Sequence, residues 1–423
     1  MNTSQSLWRN RAFTRLWVAH VTSGAGTAIT SVALPLTAVL LLGASPSQMG
    51  LLAAAGSLPN LLFGLVAGVW VDRLPRRPIL VWSDIGRALL LASVPAAAWW
   101  GELSFLQLWL VTFAAGTLTV FFQIAAISLL PALVEKSSLV DANSRLSTSD
   151  ALISIAGPAA AGGLVQLLGA ARTIIIDALS YLLSALALRA LPEPVLDHPA
   201  NGVGGKEGEC GDPQSSRART LLHEIGEGVH ELLRTPLLTA LTISSSLGML
   251  AGSLAAAVQM LFLVEQLGLS PALIGTVLAC GGVGSLLGAL LAPRAARRLR
   301  VGRTLAFGKL IWILGSLLLA AADQSRGVVM SVGAALALGG FGSSLYFVNQ
   351  ISLRQAITSV RLLGRVTAAR RFVLFGVATL GAFIGGALGE AIGLRATLLV
   401  GAAALAVELA LILLSPISRA RLD

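Results

Sequence analysis

The chain has 423 residues, of which 55% are hydrophobic and 12% charged. A soluble globular protein carries about 25% charged residues, so this composition excludes a wholly water-facing fold and puts most of the length in lipid. A net charge of +10 fits either a basic face for nucleic acid or basic residues gathered on cytoplasmic loops, and the order of the charges along the chain decides between the two.

A membrane-spanning helix needs about 20 apolar residues. Twelve such runs are predicted, at 16–42, 47–71, 78–100, 104–130, 148–168, 173–191, 237–264, 271–293, 304–322, 327–352, 369–389 and 394–415. The first is too long for a signal-peptide core of roughly 7–15 residues. With the N-terminus in the cytoplasm and the sides alternating, every Lys and Arg falls on the cytoplasmic side except Arg172, Arg326 and Arg395. Lys309 is counted there, with the arginines that follow the eighth span. This asymmetry predicts an even span count, both termini in the cytoplasm, and a cell-membrane rather than a nucleic-acid role for the positive charge.

The polar stretch 192–235 separates an N-terminal six-helix bundle (1–191) from a C-terminal one (236–423). Its first part, NGVGGKEGECGDPQSS, reads as a flexible linker. Arg217 to Arg234 has apolar residues at helical spacing and predicts an amphipathic helix on the membrane surface. The two halves repeat. Ser45-Pro46 and Gly50 correspond to Ser270-Pro271 and Gly275, and Arg73 to Arg298, at an offset of 225. Gly157, Gly162 and Gly169 correspond to Gly381, Gly386 and Gly393 at an offset of 224. Internal symmetry of this kind marks transporter folds. The expected fold class is therefore all-α integral membrane, with twelve transmembrane helices in two pseudo-symmetric six-helix bundles.

Enzyme chemistry finds no support. Cys210 and Cys280 form no CxxC, the four histidines belong to no metal or triad pattern, and Gly302 to Lys309 lacks the spacing of a nucleotide-binding loop. No cofactor and no metal are expected.

The most informative loop is Gly68-Val-Trp-Val-Asp72-Arg73-Leu-Pro-Arg76-Arg77. It resembles the signature loop of the major facilitator superfamily, G-x-x-x-D-R-x-G-R-R, with Pro75 where the family usually has glycine. Gly64 and Gly68 offer a GxxxG face for close helix packing. The resemblance implies that Asp72 latches onto the start of span 11, where Arg370 and Arg371 are the available partners. The second-half loop carries Arg297 and Arg298 in place of the acid, and the start of span 5 carries Asp141 and Asp150, so a latch of reversed polarity is expected there. Further segments resemble the drug, macrolide and siderophore exporter branch: Leu130-Pro131-Ala132-Leu133-Val134 through Asp141-Ala142-Asn143, Gly157-Pro158 with Gly162, Asp177-Ala178-Leu179-Ser180-Tyr181, Gly226 with Pro236, and Arg354-Gln355 with Gly364-Arg365-Val366. The chain departs from proton-coupled members in lacking an arginine in span 4 and in having Thr27 after Gly26.

Ionisable residues inside a membrane are functional candidates by default. They are His20, Asp84, Arg87, Asp177 and Glu408. Asp84 and Arg87 are three apart on one helical face and read as a structural pair; Glu408, Asp177 and His20 are the proton-coupling candidates. The resemblance implies a cavity lined by spans 1, 4, 7 and 10, whose candidates are Trp17, Gln123, Gln259, Tyr346, Asn349 and Gln350. It also implies a monomeric secondary transporter that exports small amphipathic molecules, driven by an ion gradient, most simply of protons. A solute importer or lipid flippase on the same fold, and a non-transporting membrane sensor, remain as alternatives.

Overall fold

The computed structural model describes residues 7–64, 66–191, 226–227, 230–359 and 362–420. The linker, and the amphipathic helix expected over 217–234 apart from its last residues, lie outside them. The described residues fold into thirteen α-helices: α1 Arg11–Leu42, α2 Pro46–Phe63, α3 Val66–Arg73, α4 Arg76–Trp100, α5 Phe105–Leu133, α6 Leu139–Leu168, α7 Ala170–Arg189, α8 Pro236–Leu261, α9 Pro271–Leu299, α10 Val301–Ala321, α11 Val328–Ile357, α12 Leu363–Ile392 and α13 Leu394–Leu414. Eleven helices among the described residues are long and apolar enough to cross a membrane. The second expected span is made in series by α2 and α3. Ser47, Gln48, Ser57 and Asn60 fall within the 18 residues of α2, and Pro59 inside it removes a backbone donor.

Helix ends are set locally. Asn10 caps α1 by accepting from the amides of Ala12 (3.0 Å) and Phe13 (3.1 Å). Ser45 and Gln48 form a reciprocal capping box at α2. The turn after α1 is closed by Gly43 at φ +56°, a left-handed conformation costly for any residue with a Cβ.

The packing partners reproduce the sequence repeat. In the first half α1 packs on α6 and α7, α4 on α5 and α7, and α2 on α5; in the second, α8 packs on α12 and α13, α10 on α11 and α13, and α9 on α11. The halves meet along two related seams, α2 with α12 and α6 with α9. Both seams are made of glycine. A Cβ on Gly50 would lie 2.7 Å from the Gly386 Cα, and one on Gly162 would lie 2.8 Å from the Gly275 Cα. Backbone therefore meets backbone, as close helix crossings in lipid require.

The seams occupy one end of the molecule. We call this the far end, and the end that carries the first and last described residues and the arginine-rich turns the basic end. At the far end one hydrophobic core contains residues of both halves, among them Val32, Leu36, Val258 and Phe262. At the basic end each half has a core of its own, around Phe13, Leu80 and Leu129 in the first and around Leu305, Tyr346 and Leu353 in the second. The halves are thus sealed at the far end and parted at the basic end. A gap of about 460 Å³ at the basic end lies between Asn60 and Gly64 of α2 and Thr367 and Arg371 of α12.

Overpacking such a seam costs about 1–3 kcal/mol, and a cost borne by one conformation alone shifts its population by roughly 5- to 150-fold. Gly386→Val is therefore expected to open the far end. Cysteines introduced at Ser47 and Glu390, which face each other across the seam (Ser47 N to Glu390 Oε2, 3.2 Å), should cross-link readily in the parent chain and far less in the Gly386→Val background.

Candidate functional site

Two buried clusters of polar side chains occupy related places in the two halves. In the first half, Arg87 of α4 forms an ion pair with Asp84, one helical turn away, and both side chains are buried. The Arg87 guanidinium also lies over the rings of Phe122 (4.4 Å) and Tyr181 (4.1 Å) and donates to Thr119 Oγ1 at 3.4 Å. Tyr181 and Thr27 share a hydrogen bond of 2.8 Å between α7 and α1. Asp177, one turn before Tyr181, accepts from Ser180 Oγ at 3.1 Å. Gly26 makes room for it: a Cβ there would fall 2.2 Å from Asp177 Oδ1.

In the second half Lys309 Nζ lies 2.7 Å from Glu408 Oε2, and both side chains are fully buried. Ser244 Oγ donates to Glu408 Oε1 at 2.9 Å; with that proton committed, the Tyr346 hydroxyl donates to Ser244 Oγ at 2.8 Å. Arg370 donates to Ser245 Oγ at 2.6 Å, and Ser245 lies 3.4 Å from the same tyrosine hydroxyl. The Lys309 ammonium rests over the rings of Trp312 (4.2 Å) and Tyr346 (3.9 Å). A Cβ on Gly248 would come within 2.6 Å of Glu408 Oε2, so α8 needs glycine here as α1 needs it at Gly26.

Lys309 corrects the sequence reading. Its count among the loop cations places it in water, whereas it lies eight residues inside α10 with no exposed surface. The physical reason is Glu408, which supplies the only arrangement in which an ammonium is tolerable at that depth. The repeat held the signal. Lys309 stands 225 residues after Asp84, itself a buried ion-pair member.

Between the halves lies a cavity of about 720 Å³. Its walls are α1, α2, α5 and α8, with small contributions from α4, α6, α7 and α9. Thr27, Thr30, Thr112, Thr119, Asp177 and Gln259 supply most of its polarity. Of the expected cavity residues Gln259 is on the wall. Tyr346, Asn349 and Gln350 of α11 are instead buried within the second half, because α11 turns that face toward α10 and the Lys309 cluster. Gln123 is exposed. Trp17 donates to Ser149 Oγ at 3.1 Å, joining α1 to α6, and His20 pairs with Asp150 at 2.7 Å.

The side chains of Asp72 and Arg73 are outside the described residues. Arg76 and Arg77 donate to backbone carbonyls within the first half, at Ser128 (2.9 Å) and Arg189. Arg370 points into the second half toward Ser245, while Arg371 lines the basic-end gap opposite Gly64. A Cβ on Gly68 would meet nothing within 4 Å, so among the described residues Gly68 packs against no other helix in this conformation. Asp141 pairs with Arg145 and Asp150 with His20, while Arg297 and Arg298 are exposed. The reversed-polarity contact is therefore not made here, as the parted basic end requires.

Two helical bundles related by an internal repeat, sealed at one end around a central cavity, define a membrane transporter. A family model described as Major Facilitator Superfamily matches residues 16–251 and 240–422, and the chain belongs to that superfamily. It is 27% identical over 405 residues to the uncharacterized MFS-type transporter YfiS of Bacillus subtilis (strain 168), covering 93% of this chain and 91% of the relative. It is 28% identical over 405 residues to the multidrug efflux pump Tap of Mycobacterium tuberculosis (strain ATCC 25618 / H37Rv), covering 92% and 90%. Its fold matches the crystal structure of a bacterial homologue of the iron transporter ferroportin in the inward-facing state, with a TM-score of 0.74 at 16% identity over 97% of this chain and 99% of that one. Against the outward-facing state of a bacterial ferroportin homologue the TM-score is 0.58, at 16% identity over 95% and 98%.

Removing one partner of a buried ion pair costs about 3–5 kcal/mol, whereas replacing both by apolar groups is often neutral. Lys309→Ala and Glu408→Ala are each expected to lower the thermal unfolding midpoint of the purified protein markedly. The double change Lys309→Met with Glu408→Leu should lose much less than the sum of the two, measured by unfolding in the same detergent.

Proposed function

We propose that the chain is a secondary exporter that moves small amphipathic molecules out of the cytoplasm in exchange for protons, by alternating access of the central cavity. The observation that carries this reading is the far-end seal combined with the basic-end gap. The far end is closed by a seam of backbone contacts that can part, and the halves stand apart at the basic end. The arginine-rich turns support a cytoplasmic basic end, and in that orientation the observed conformation is inward-facing with both termini inside. The cavity volume falls within the roughly 300–1,000 Å³ of small-molecule sites, and a mainly apolar wall with a few hydroxyls suits amphipathic cargo. The resemblance to the efflux pump Tap supports export over import.

In this reading the chain acts as a monomer in the cell membrane, without a cofactor. Closing the basic end brings α3 and the start of α12 together, so that Asp72 meets Arg371 and the open GxxxG face finds its partner. Arg297 and Arg298 approach the start of α6 in the same movement.

Inverted membrane vesicles containing the protein should accumulate a lipophilic dye such as ethidium when energised, and an uncoupler should abolish the accumulation. Asp72→Asn, expressed to the same level, should slow uptake by about tenfold, equivalent to roughly 1.4 kcal/mol on the closing step. Loss of dye from energised inverted vesicles would identify an importer, and an unchanged Asp72→Asn rate would remove the latch.

A further inference from the structure

The two carboxylates at the centre of the halves are in different electrical states. Glu408 has Lys309 against one oxygen and Ser244 against the other, and it lies off the cavity. Asp177 has the Ser180 hydroxyl on Oδ1 and the Thr30 hydroxyl beside it, both neutral groups. Its Oδ2 has no hydrogen-bond partner among the described residues, although the side chain is 1% exposed. The nearest cation, Arg87, is already held by Asp84 and Thr119 and enclosed by the rings of Phe122 and Tyr181. The Thr30 hydroxyl is the neighbour of the carboxylate from α1. Both residues are on the cavity wall, and Asp177 is the one charged side chain that lines it.

Packing does not explain the carboxylate. The repeat sets Gly26 against Ala251 at an offset of 225 and Asp177 against Gly401 at 224. In the second half these two counterparts meet as Gly26 and Asp177 do, with the Gly401 Cβ position 3.4 Å from the Ala251 carbonyl. The same helix crossing is thus built there without an acid. A carboxylate buried with one free oxygen is costly, and it can be neutralised in two ways: by a proton or by a cationic ligand in the cavity.

We propose that Asp177, with Thr30, is the recognition site for the positively charged group of a cationic amphipathic substrate, and that a proton and this cation occupy the carboxylate in turn. The proposal deepens the transport reading and rests on it for the direction of movement, not for the binding site itself. The apolar remainder of the cavity, from Leu34 and Leu52 to Met260 and Leu263, takes the hydrophobic body of the ligand. Gln259 on α8 is the polar group of the second half on the same wall, so a bound ligand touches both halves. Among the described residues no other charged side chain lines the cavity: Arg11 and Arg15 of α1, Arg172 and Arg189 of α7, and Arg294, Arg297 and Arg298 of α9 lie off its wall. Helices α2, α5 and α8 contain no Asp, Glu, Lys or Arg. On α6, Asp141 and Arg145 pair with each other and Asp150 pairs with His20. On α4, Asp84 and Arg87 form the closed pair. Tyr181 is engaged by Thr27.

The test uses the purified full-length protein with tetraphenylphosphonium, a permanently charged lipophilic cation, and with triphenylphosphine oxide as a neutral counterpart. The native protein should prefer the cation. Its affinity for the cation alone should weaken as pH falls, approaching about tenfold per pH unit where one proton displaces one cation. Asp177→Asn should lower the cation-to-neutral affinity ratio by about ten- to hundredfold, equivalent to roughly 1.4–2.7 kcal/mol, and flatten the pH dependence. Asp177→Glu should restore part of both, and Thr30→Val should lower the ratio without removing the pH dependence, which guards against a variant that merely misfolds. Failure of the native protein to prefer the cation, or a native ratio and pH slope in Asp177→Asn, would overturn the proposal. Cation binding that depends on Asp177 without transport in vesicles would retain the site and refute the exporter reading, whereas dye transport unaffected by Asp177→Asn would do the reverse.

Discussion

A charge that cannot reach water must be compensated inside the bundle, and the rest of this structure is arranged around that requirement. Desolvating a single ion costs several kcal/mol, and only close pairing with further hydrogen bonds offsets it. In the second half the Lys309–Glu408 pair gathers the elements around it. Lys309 comes from α10, Glu408 from α13, Ser244 and Ser245 from α8, Tyr346 from α11 and Arg370 from α12. Five of the six helices of that half thus contribute to one network. In the first half Asp84, Arg87, Thr119, Tyr181 and Thr27 join α4, α5, α7 and α1 in the same manner. Each half is internally tied by groups that could not be left unpaired in lipid.

The contrast with the seams gives the molecule its freedom to move. Across α2–α12 and α6–α9 the closest approaches are between glycines, at Gly50 with Gly386 and Gly162 with Gly275, with few polar links such as Ser57 to Thr379 at 3.1 Å. Such contacts are dispersive and short in range. They hold while the backbones touch and cost little once a small rotation separates them. Cohesion within the halves and weak adhesion between them are the two properties that rigid-body rocking requires.

Much of this was legible in the sequence because lipid imposes a simple code. Run length gave the spans, the asymmetry of arginine gave the even count, and the two offsets gave the halves. The Asp84–Arg87 pair was visible because its members are three residues apart on one helix. What escaped was of a different kind. Lys309 and Glu408 are distant in sequence, and nothing local distinguishes a lysine eight residues inside a helix from one at its mouth. The direction in which a polar residue faces was equally hidden. Tyr346, Asn349 and Gln350 sit on a helix expected to line the cavity, but the demand of Lys309 for an aromatic and hydrogen-bonded surround turns Tyr346 inward, and its neighbours follow.

The internal repeat sharpens the meaning of these exceptions. Asp84 in the first half corresponds to Lys309 in the second, and Ser184, which lies against Asp84, corresponds to Glu408 at an offset of 224. An acid–serine contact in one half is thus a lysine–acid pair in the other, so the same junction of helices is solved twice with different charges. In the second half the acid faces a cation and the charges cancel within the junction. In the first half Arg87, one turn from Asp84, cancels that acid, and the additional carboxylate at Asp177 is left without a cation of its own. Duplication therefore supplied a common frame, and divergence placed a carboxylate on the cavity wall in one half alone. That asymmetry separates the roles of the halves: the second keeps its surplus cation, Arg370, against Ser245 and off the cavity wall, and the first presents the group whose charge state the bound contents of the cavity can change.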